Sequence, residues 1–420
     1  MTVPTDQTLI EAVDRLSDRA TSLLQELVRT PSLTGNEEAV QRIVAQAMQE
    51  LGLEVDVWEP AVEDLAPYAE HVGEFETLQG RPNVVGIWRG SGGGKSMILN
   101  GHVDTVDPGA VDQWTDDPFS ARIIDGQLFG RGSLDMKAGV VANIIAAAAL
   151  RATGWQPKGD VIVESVISEE DGGAGTVAAI VRGYTADACI ITEPSAFDIV
   201  IAQGGSLVFR IHVSGKSAHA AARNEGVSAL DCFLPIYAAL NEFEAERNRT
   251  LAHPLYAEIE NKIPINIGVV QAGSWPSSVP DWLIAEGRAG LVPGETLEQF
   301  KAEFVEVVMR AAASDPWLSE HPPRVEWFSG QFAPSEIEGD HPLVGLVSSA
   351  HQAVTGETPR VKGVTYGADM RHFLNIVGIP CLMYGAGDVA GAHAPNESIS
   401  IHDMLTCAKA VAIATRNWCS

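Results

Sequence analysis

Four short apolar runs, each released into a residue type that can bind a metal, constrain this chain more than any other feature. Met97, Ile98 and Leu99 lead into His102, and the run VIVESVIS leads into Glu169-Glu170 before Gly172-Gly173. Residues 187–192 end in Glu193 ahead of Pro194, and IPCLMYG leads through a glycine-rich loop to His393. Apolar runs of this length, bounded by breakers, read as strands buried on both faces. Strands alternating with helical patterns build a mainly parallel sheet, whose chemistry sits outside the carboxyl ends of its strands. Alone, Glu169-Glu170 would read as a solvated acidic turn; the repetition of the arrangement argues otherwise.

The remaining segments fill in a two-domain plan, the default for 420 residues. Helical periodicity covers 9–27 and 37–51, residues 59–82 read as an irregular loop, and strands are predicted at 83–88 and 95–101. A hairpin is predicted around Asp125-Gly126, and an alanine-rich helix over 137–153 follows Asp135, a residue type also favoured as an N-cap. From 207 to 213 the pattern changes: Leu207, Phe209, Ile211 and Val213 alternate with Arg210 and His212, as in a sheet wet on one face. Amphipathic helices over 227–246 and 297–313, with strands at 265–270 and 283–289, complete an inserted α+β domain. The predicted fold is therefore α/β, a mixed, mainly parallel sheet flanked by helices over 1–203 and 331–420. The insert spans 204–330.

Charge and cysteine content exclude several classes. A formal charge of −27 argues against nucleic acid or an anionic membrane as partner. Five scattered cysteines form neither a disulfide framework nor a thiolate zinc site, and fit a reducing cytoplasm. The N-terminal stretch lacks a secretory pattern, and the longest apolar run, 140–150, is too short to span a bilayer.

His102, Asp135, Glu170, Glu193 and His393 form a candidate ligand set. Two imidazoles with three carboxylates are too oxygen-rich for a structural zinc site and suit a two-metal hydrolytic centre in which one carboxylate bridges. Asp104, in His-x-Asp spacing, can orient His102. Glu169, next to a ligand but unable to point the same way, is free to act as general base and acid. His71, His253, His321, His341, His351 and His402 read as surface or loop residues.

GHVDTV, GRGSLDMKAG, SEEDGG, TEPS and GAHAPNE, in this order, resemble the zinc-exopeptidase-like family of acetylornithine deacetylase, succinyl-diaminopimelate desuccinylase, aminoacylase and glutamate carboxypeptidase. The resemblance implies that Asp135 bridges two divalent ions. His102 and Glu193 would complete one site, Glu170 and His393 the other. Zinc is the expected metal, with cobalt or manganese tolerated by the same donors. It further implies a cis peptide after Asp135, an insert acting as lid and homodimer interface, and His219 donating to the oxyanion across the dimer. Substrate positions depart from the family. Ser277 replaces its usual Asn in SSVPD, Gly290 replaces its usual Arg before LVPGE, and Arg371 in GADMRHF is retained as a carboxylate anchor. The expected activity is metal-dependent hydrolysis of an amide C–N bond in a small molecule, first of all deacylation of an N-acyl amino acid. A dipeptidase or carboxypeptidase, hydrolysis of another C–N bond in a non-standard substrate, and a metal-free binding protein on the same fold are the alternatives.

Overall fold

The computed structural model describes residues 3–420. The chain divides into two units: one runs to Ile201 and resumes over Glu336–Lys362 and Ala368–Ser420, the other comprises Ala202–Ser335 and Gly363–Gly367.

In the first unit, the apolar runs become the middle of a mixed sheet. Its order is Glu54–Trp58, Asn83–Trp88, Val161–Val166, Met97–His102, Cys189–Ile191, Cys381–Met383, Ile199–Gln203 and Ser335–Glu336, with Val361–Val364 also paired to Ile199–Gln203. Met97–His102 runs parallel to both Val161–Val166 and Cys189–Ile191, and Cys381–Met383 runs parallel to Cys189–Ile191. These four strands therefore open their carboxyl ends on one side, which is how residues near 102, 169, 193 and 393 come to share a locale. Antiparallel pairings flank this group, at Glu54–Trp58 with Asn83–Trp88, Asn83–Trp88 with Val161–Val166, and Ile199–Gln203 with Cys381–Met383.

The alanine-rich helix spans Ala138–Ala152 and packs between the strand Met97–His102 and the helix Ile401–Trp418. Its alanines let helix and sheet approach closely, and its face from Val140 to Leu150 is buried all round. With the preceding turn, Ser133–Ala152 is long and apolar enough to cross a membrane, yet it is buried inside the unit. Apolarity here reflects a helix enclosed by other elements.

Three local expectations are corrected. The single helix predicted over 9–27 is two, Asp6–Asp14 and Ser17–Arg29, because the chain turns at Leu16 (φ −99, ψ 4) so that Leu9 and Val13 as well as Leu23, Leu24 and Leu27 are buried. The irregular stretch 59–82 contains the short helices Val62–Leu65 and Ala69–Val72, which bury Leu65 and Val72. His351 is no surface residue: it lies on the inner face of the helix Pro342–Thr355, 5% exposed, with Nδ1 2.8 Å from the Tyr384 hydroxyl. Helical spacing with Val344 and Val347 puts it there, and the tyrosine hydroxyl satisfies it.

The hairpin around Asp125-Gly126 joins Arg122–Ile124 to Gln127–Phe129, and both turn residues have positive φ (50 and 78). Asp-Gly is the pair such a two-residue turn prefers. Ser398–Ser400 adds to this hairpin as a third strand.

The second unit has a four-stranded antiparallel sheet in the order Ile265–Ala272, Trp282–Leu291, Gly205–Ser214, Arg324–Phe332. The alternating residues Leu207, Phe209, Ile211 and Val213 face the helices Ala229–Thr250 and Leu297–Ala312, packing with Ile236, Phe300 and Phe304. The strand Arg324–Phe332 and the return of Gly363–Gly367 to this unit have no counterpart in the sequence reading.

Candidate active site

The sheet delivers His102 at the last position of its strand, 1% exposed. Its Nδ1 lies 3.0 Å from the Asp104 main-chain oxygen and 3.4 Å from the Asp104 carboxylate. Holding Nδ1–H this way turns Nε2 toward the centre of the site. There Nε2 meets Asp135 Oδ1 at 3.2 Å, Glu193 Oε1 at 3.8 Å and Glu169 Oε2 at 4.0 Å. The opposite oxygen of Asp135, Oδ2, lies 3.3 Å from His393 Nε2, which also reaches Glu170 Oε1 at 3.1 Å.

Asp135 thus offers one oxygen to each imidazole. The Asp135-Met136 peptide is cis, in an irregular turn before the helix Ala138–Ala152. One ligand atom from each of His102, Asp135 and Glu170 lies within 4.8 Å of the others. Imidazole nitrogens and carboxylate oxygens converging around a carboxylate that faces both ways fit two divalent ions with Asp135 between them.

Electrostatics follow from this crowding. Burial works against ionisation of Asp135, yet hydrogen bonds from His102 and His393 hold its carboxyl well below the usual range. Hydrogen bonds to Asp135 and Glu170 push His393 up to about 10. Burial pushes Glu193 up to about 8, with the carboxylates of Asp135, Asp369 and Glu170 adding to it against the opposing His102. Burial also raises Glu169 well above the usual carboxylate range, opposed by His102 and reinforced by Asp369, Glu193 and Glu170. Five carboxylates gathered here with two imidazoles would repel one another; cations between them relieve that repulsion.

Glu169 and Glu170 sit on a loop fixed at its start by Asp104, whose two oxygens accept the Glu169 and Glu170 amides at 3.2 and 3.1 Å. Asp104 therefore serves both the His102 ring and the acidic loop. Arg81 grips the buried Glu37 carboxylate (Nη2 to Oε1 2.6 Å) and reaches Asp171 of the same loop at 3.5 Å.

Sequence reasoning missed the pair Arg131–Glu397, which is buried and joined at 2.5 Å. The second Glu397 oxygen accepts the amides of Leu134 and Asp135 at 3.0 and 3.2 Å, and Arg131 donates to the His393 carbonyl at 3.2 Å. One buried ion pair therefore sets the main chain of two candidate ligands, Asp135 and His393. The signal was present in the Arg of GRGSLDMKAG and the final Glu of GAHAPNE, motifs read only for their ligands. Lys137 was also missed. It is buried, donating to the Leu27 and Thr30 carbonyls at 2.8 and 3.1 Å, and burial lowers it to about 7.

Arg371 is 1% exposed, and its two terminal nitrogens donate to Ala368 O at 2.6 Å and Gly172 O at 2.8 Å. His219 and Ser277 lie in the second unit, both exposed and on adjoining segments: His219 bridges to Ser278, and Ala220 N donates to Ser277 O at 2.9 Å.

The model of peptidase family M20/M25/M40 matches residues 98–417, a span that contains every residue of the candidate ligand set. The chain belongs to this family. It is 32% identical to the N-formyl-4-amino-5-aminomethyl-2-methylpyrimidine deformylase of Bacillus subtilis, over 92% of this chain and 90% of that protein. Identity to the deformylase of the same name from Halalkalibacterium halodurans is 30%, over 98% and 97%. Among solved structures, an M20 family metallo-carboxypeptidase from Sulfolobus solfataricus superposes with a TM-score of 0.76 at 17% identity, covering 95% of this chain and 99% of its own. A dinuclear metal binding peptidase from Bacillus subtilis gives 0.66 at 15%, covering 97% and 99%. The M20 chain described here is a metal-binding hydrolase with the α/β fold of these structures.

Proposed function

We propose that this M20 hydrolase removes a small acyl group, formyl in the first instance, from the nitrogen of a small amine that need not carry a carboxylate. The observation that carries the chemistry is Glu169 Oε2 4.0 Å from His102 Nε2, a carboxyl raised by burial beside a set of metal donors. His102, Asp135 and Glu193 would hold one ion, and Asp135, Glu170 and His393 the other. When bound, such a pair supplies Lewis acidity to the carbonyl and a more acidic water. Glu169 takes the proton of the attacking water and returns it to the leaving nitrogen as the C–N bond breaks, giving a carboxylate and an amine. A raised carboxyl suits this role, because it is a stronger base than an ordinary carboxylate and takes up the water proton more readily. His219 is proposed as a donor to the carbonyl oxygen as negative charge develops on it.

Three features support a substrate other than an N-acyl amino acid. Two relatives at 30% identity or more carry the deformylase name. Ser277 and Gly290 stand where family members usually carry Asn and Arg. The remaining anchor, Arg371, is buried on main-chain carbonyls. The deciding assay compares N-formyl-4-amino-5-aminomethyl-2-methylpyrimidine with N-formyl and N-acetyl amino acids. Higher kcat/KM for the pyrimidine is expected, and hydrolysis restricted to substrates with a free α-carboxylate would overturn the reading.

The M20 chain is further proposed to act as a cytoplasmic homodimer. Leu230, Leu234 and Tyr237 make a helical stripe 42–54% exposed, and Val269 and Val270 on the edge strand Ile265–Ala272 are similarly bare. An apolar stripe and a bare sheet edge in one unit are surfaces that a second copy can cover by symmetric pairing. All five cysteines are buried free thiols, in keeping with a reducing compartment.

A further inference from the structure

We propose that the first turn of the helix Met370–Val377, through Asp369, Arg371 and His372, is a positioning device for Glu169. On this view it fixes the far end of the acidic loop, and Arg371 does not bind the substrate's carboxylate. The inference rests on Glu169 being the proton carrier.

The loop 168–173 has to present Glu169 and Glu170 in different directions, and its start is held by Asp104. Its far end is Gly172-Gly173, with φ of 144 and 82, conformations open to glycine and soft unless something restrains them. The restraint comes from one helix turn. Arg371 donates to the Gly172 carbonyl at 2.8 Å. Asp369 and His372 lie so close to Gly173 that a Cβ there would fall 2.2 Å from Asp369 Oδ1 and 2.3 Å from His372 Nε2.

The turn is itself anchored to the sheet by a buried chain of hydrogen bonds. Thr176 Oγ1 donates to Asp369 Oδ2 at 2.6 Å and accepts from Asn100 Nδ2 at 3.2 Å, which also donates to Glu164 Oε2 at 3.0 Å. Asn100 belongs to the strand ending at His102, and Glu164 to the strand that feeds Glu169. The two strands that present the base and a metal ligand are thus tied to the turn that fixes the base's loop. A carboxylate clamp needs a guanidinium fork facing the substrate. Arg371 is 1% exposed and its fork faces main-chain oxygens.

The test uses the metal-loaded full chain and three variants, Arg371→Lys, Thr176→Val and Glu169→Gln. N-formylphenylalanine and N-formylphenethylamine, which differ by a carboxylate, serve as probes, with hydrogen exchange of segment 167–175 and metal content read alongside. Arg371→Lys should lower kcat by about 10–100-fold on both probes with KM within twofold, since displacing a reacting group by about 1 Å can cost 10²-fold. Metal content should hold while segment 167–175 exchanges faster. Thr176→Val should give the same pattern more weakly, and it decides the matter by exchange if Arg371→Lys does not fold or neither probe is cleaved. A rise in KM confined to N-formylphenylalanine would restore the clamp, and unchanged exchange in the folded variants would overturn the proposal. Should Glu169→Gln keep its turnover, the proton-carrier reading itself falls. If Glu169→Gln is inactive while Arg371→Lys matches the parent, only the positioning role falls.

Discussion

Glu397 accepts the main-chain N–H of Asp135 at 3.2 Å across 262 positions of sequence, while its other oxygen holds Arg131. Asp135, the candidate bridging ligand, is therefore steered through its backbone by Glu397. Glu397→Gln should keep the fold and lower metal affinity by about 10–100-fold, as loss of a group supporting a ligand does. Competition with a chromogenic chelator reads this directly; unchanged affinity would mean that the ion pair serves stability alone.

Asp135→Ala and Glu169→Gln should separate binding from proton transfer. The first removes the carboxylate that faces both imidazoles, so bound metal and turnover should fall together. The second should retain both metals and lose about 10²–10⁴-fold in kcat. Elemental analysis beside steady-state rates distinguishes them, and matching metal loss in both would make Glu169 a ligand.

His219→Ala should cut kcat by about 10²–10³ with metal content intact, the usual effect of losing one donor to a developing oxyanion. Mixing it with Glu169→Gln should recover part of the activity, because a mixed dimer has one site with both residues. Absence of recovery after verified subunit exchange would confine His219 to its own subunit or remove it from catalysis.

Leu234→Arg places a charge in the middle of the exposed stripe Leu230–Leu234–Tyr237. Sedimentation should show it shifted to monomer with the fold unchanged by circular dichroism. A monomeric parent would refute the interface outright.

Glu164 carries a pH prediction. Burial raises it to about 8 from 4.5, opposed by the Asn100 hydrogen bond and aided by Asp369. Asn100, Thr176, Asp369 and Cys189 are the polar and titratable groups around it. A carboxyl raised on folding stabilises fully below its unfolded value and loses that contribution as pH climbs through the folded value. Stability should thus decline between pH 4.5 and 8, by up to about 1.4 kcal/mol per pH unit from this group. Urea titrations at pH 5.5 and 7.5 should find Glu164→Gln less pH-sensitive than the parent; equal sensitivity would show that Glu164 ionises freely in the fold.

The parts legible in sequence were those encoded by local pattern. Apolar runs gave the four parallel strands and their exits, and alternation at Leu207–Val213 marked the half-exposed sheet. Resemblance then supplied the cis peptide after Asp135. What stayed hidden depends on distant partners. Arg131 and Glu397 acquire meaning only once the strand Ser398–Ser400 pairs with Gln127–Phe129. His351 became a core residue because Tyr384, on a distant segment, satisfies it. The surroundings of Arg371 stayed hidden as well, because an arginine in a motif says nothing of which carbonyls surround it. The break at Leu16 carries no proline or glycine to announce it.

The position of Cys381–Met383 inside the sheet has a consequence for synthesis. This strand fills the place between Cys189–Ile191 and Ile199–Gln203, yet it is translated well after both of these neighbours. Until it arrives, the earlier strands are left with unpaired edges, a state open to aggregation and to chaperone binding. His393 follows ten residues after Met383, so a nascent chain stalled before Cys381 lacks both this strand and one of its candidate ligands. Filling of the gap in the sheet and delivery of the candidate ligand His393 in this way come together during synthesis.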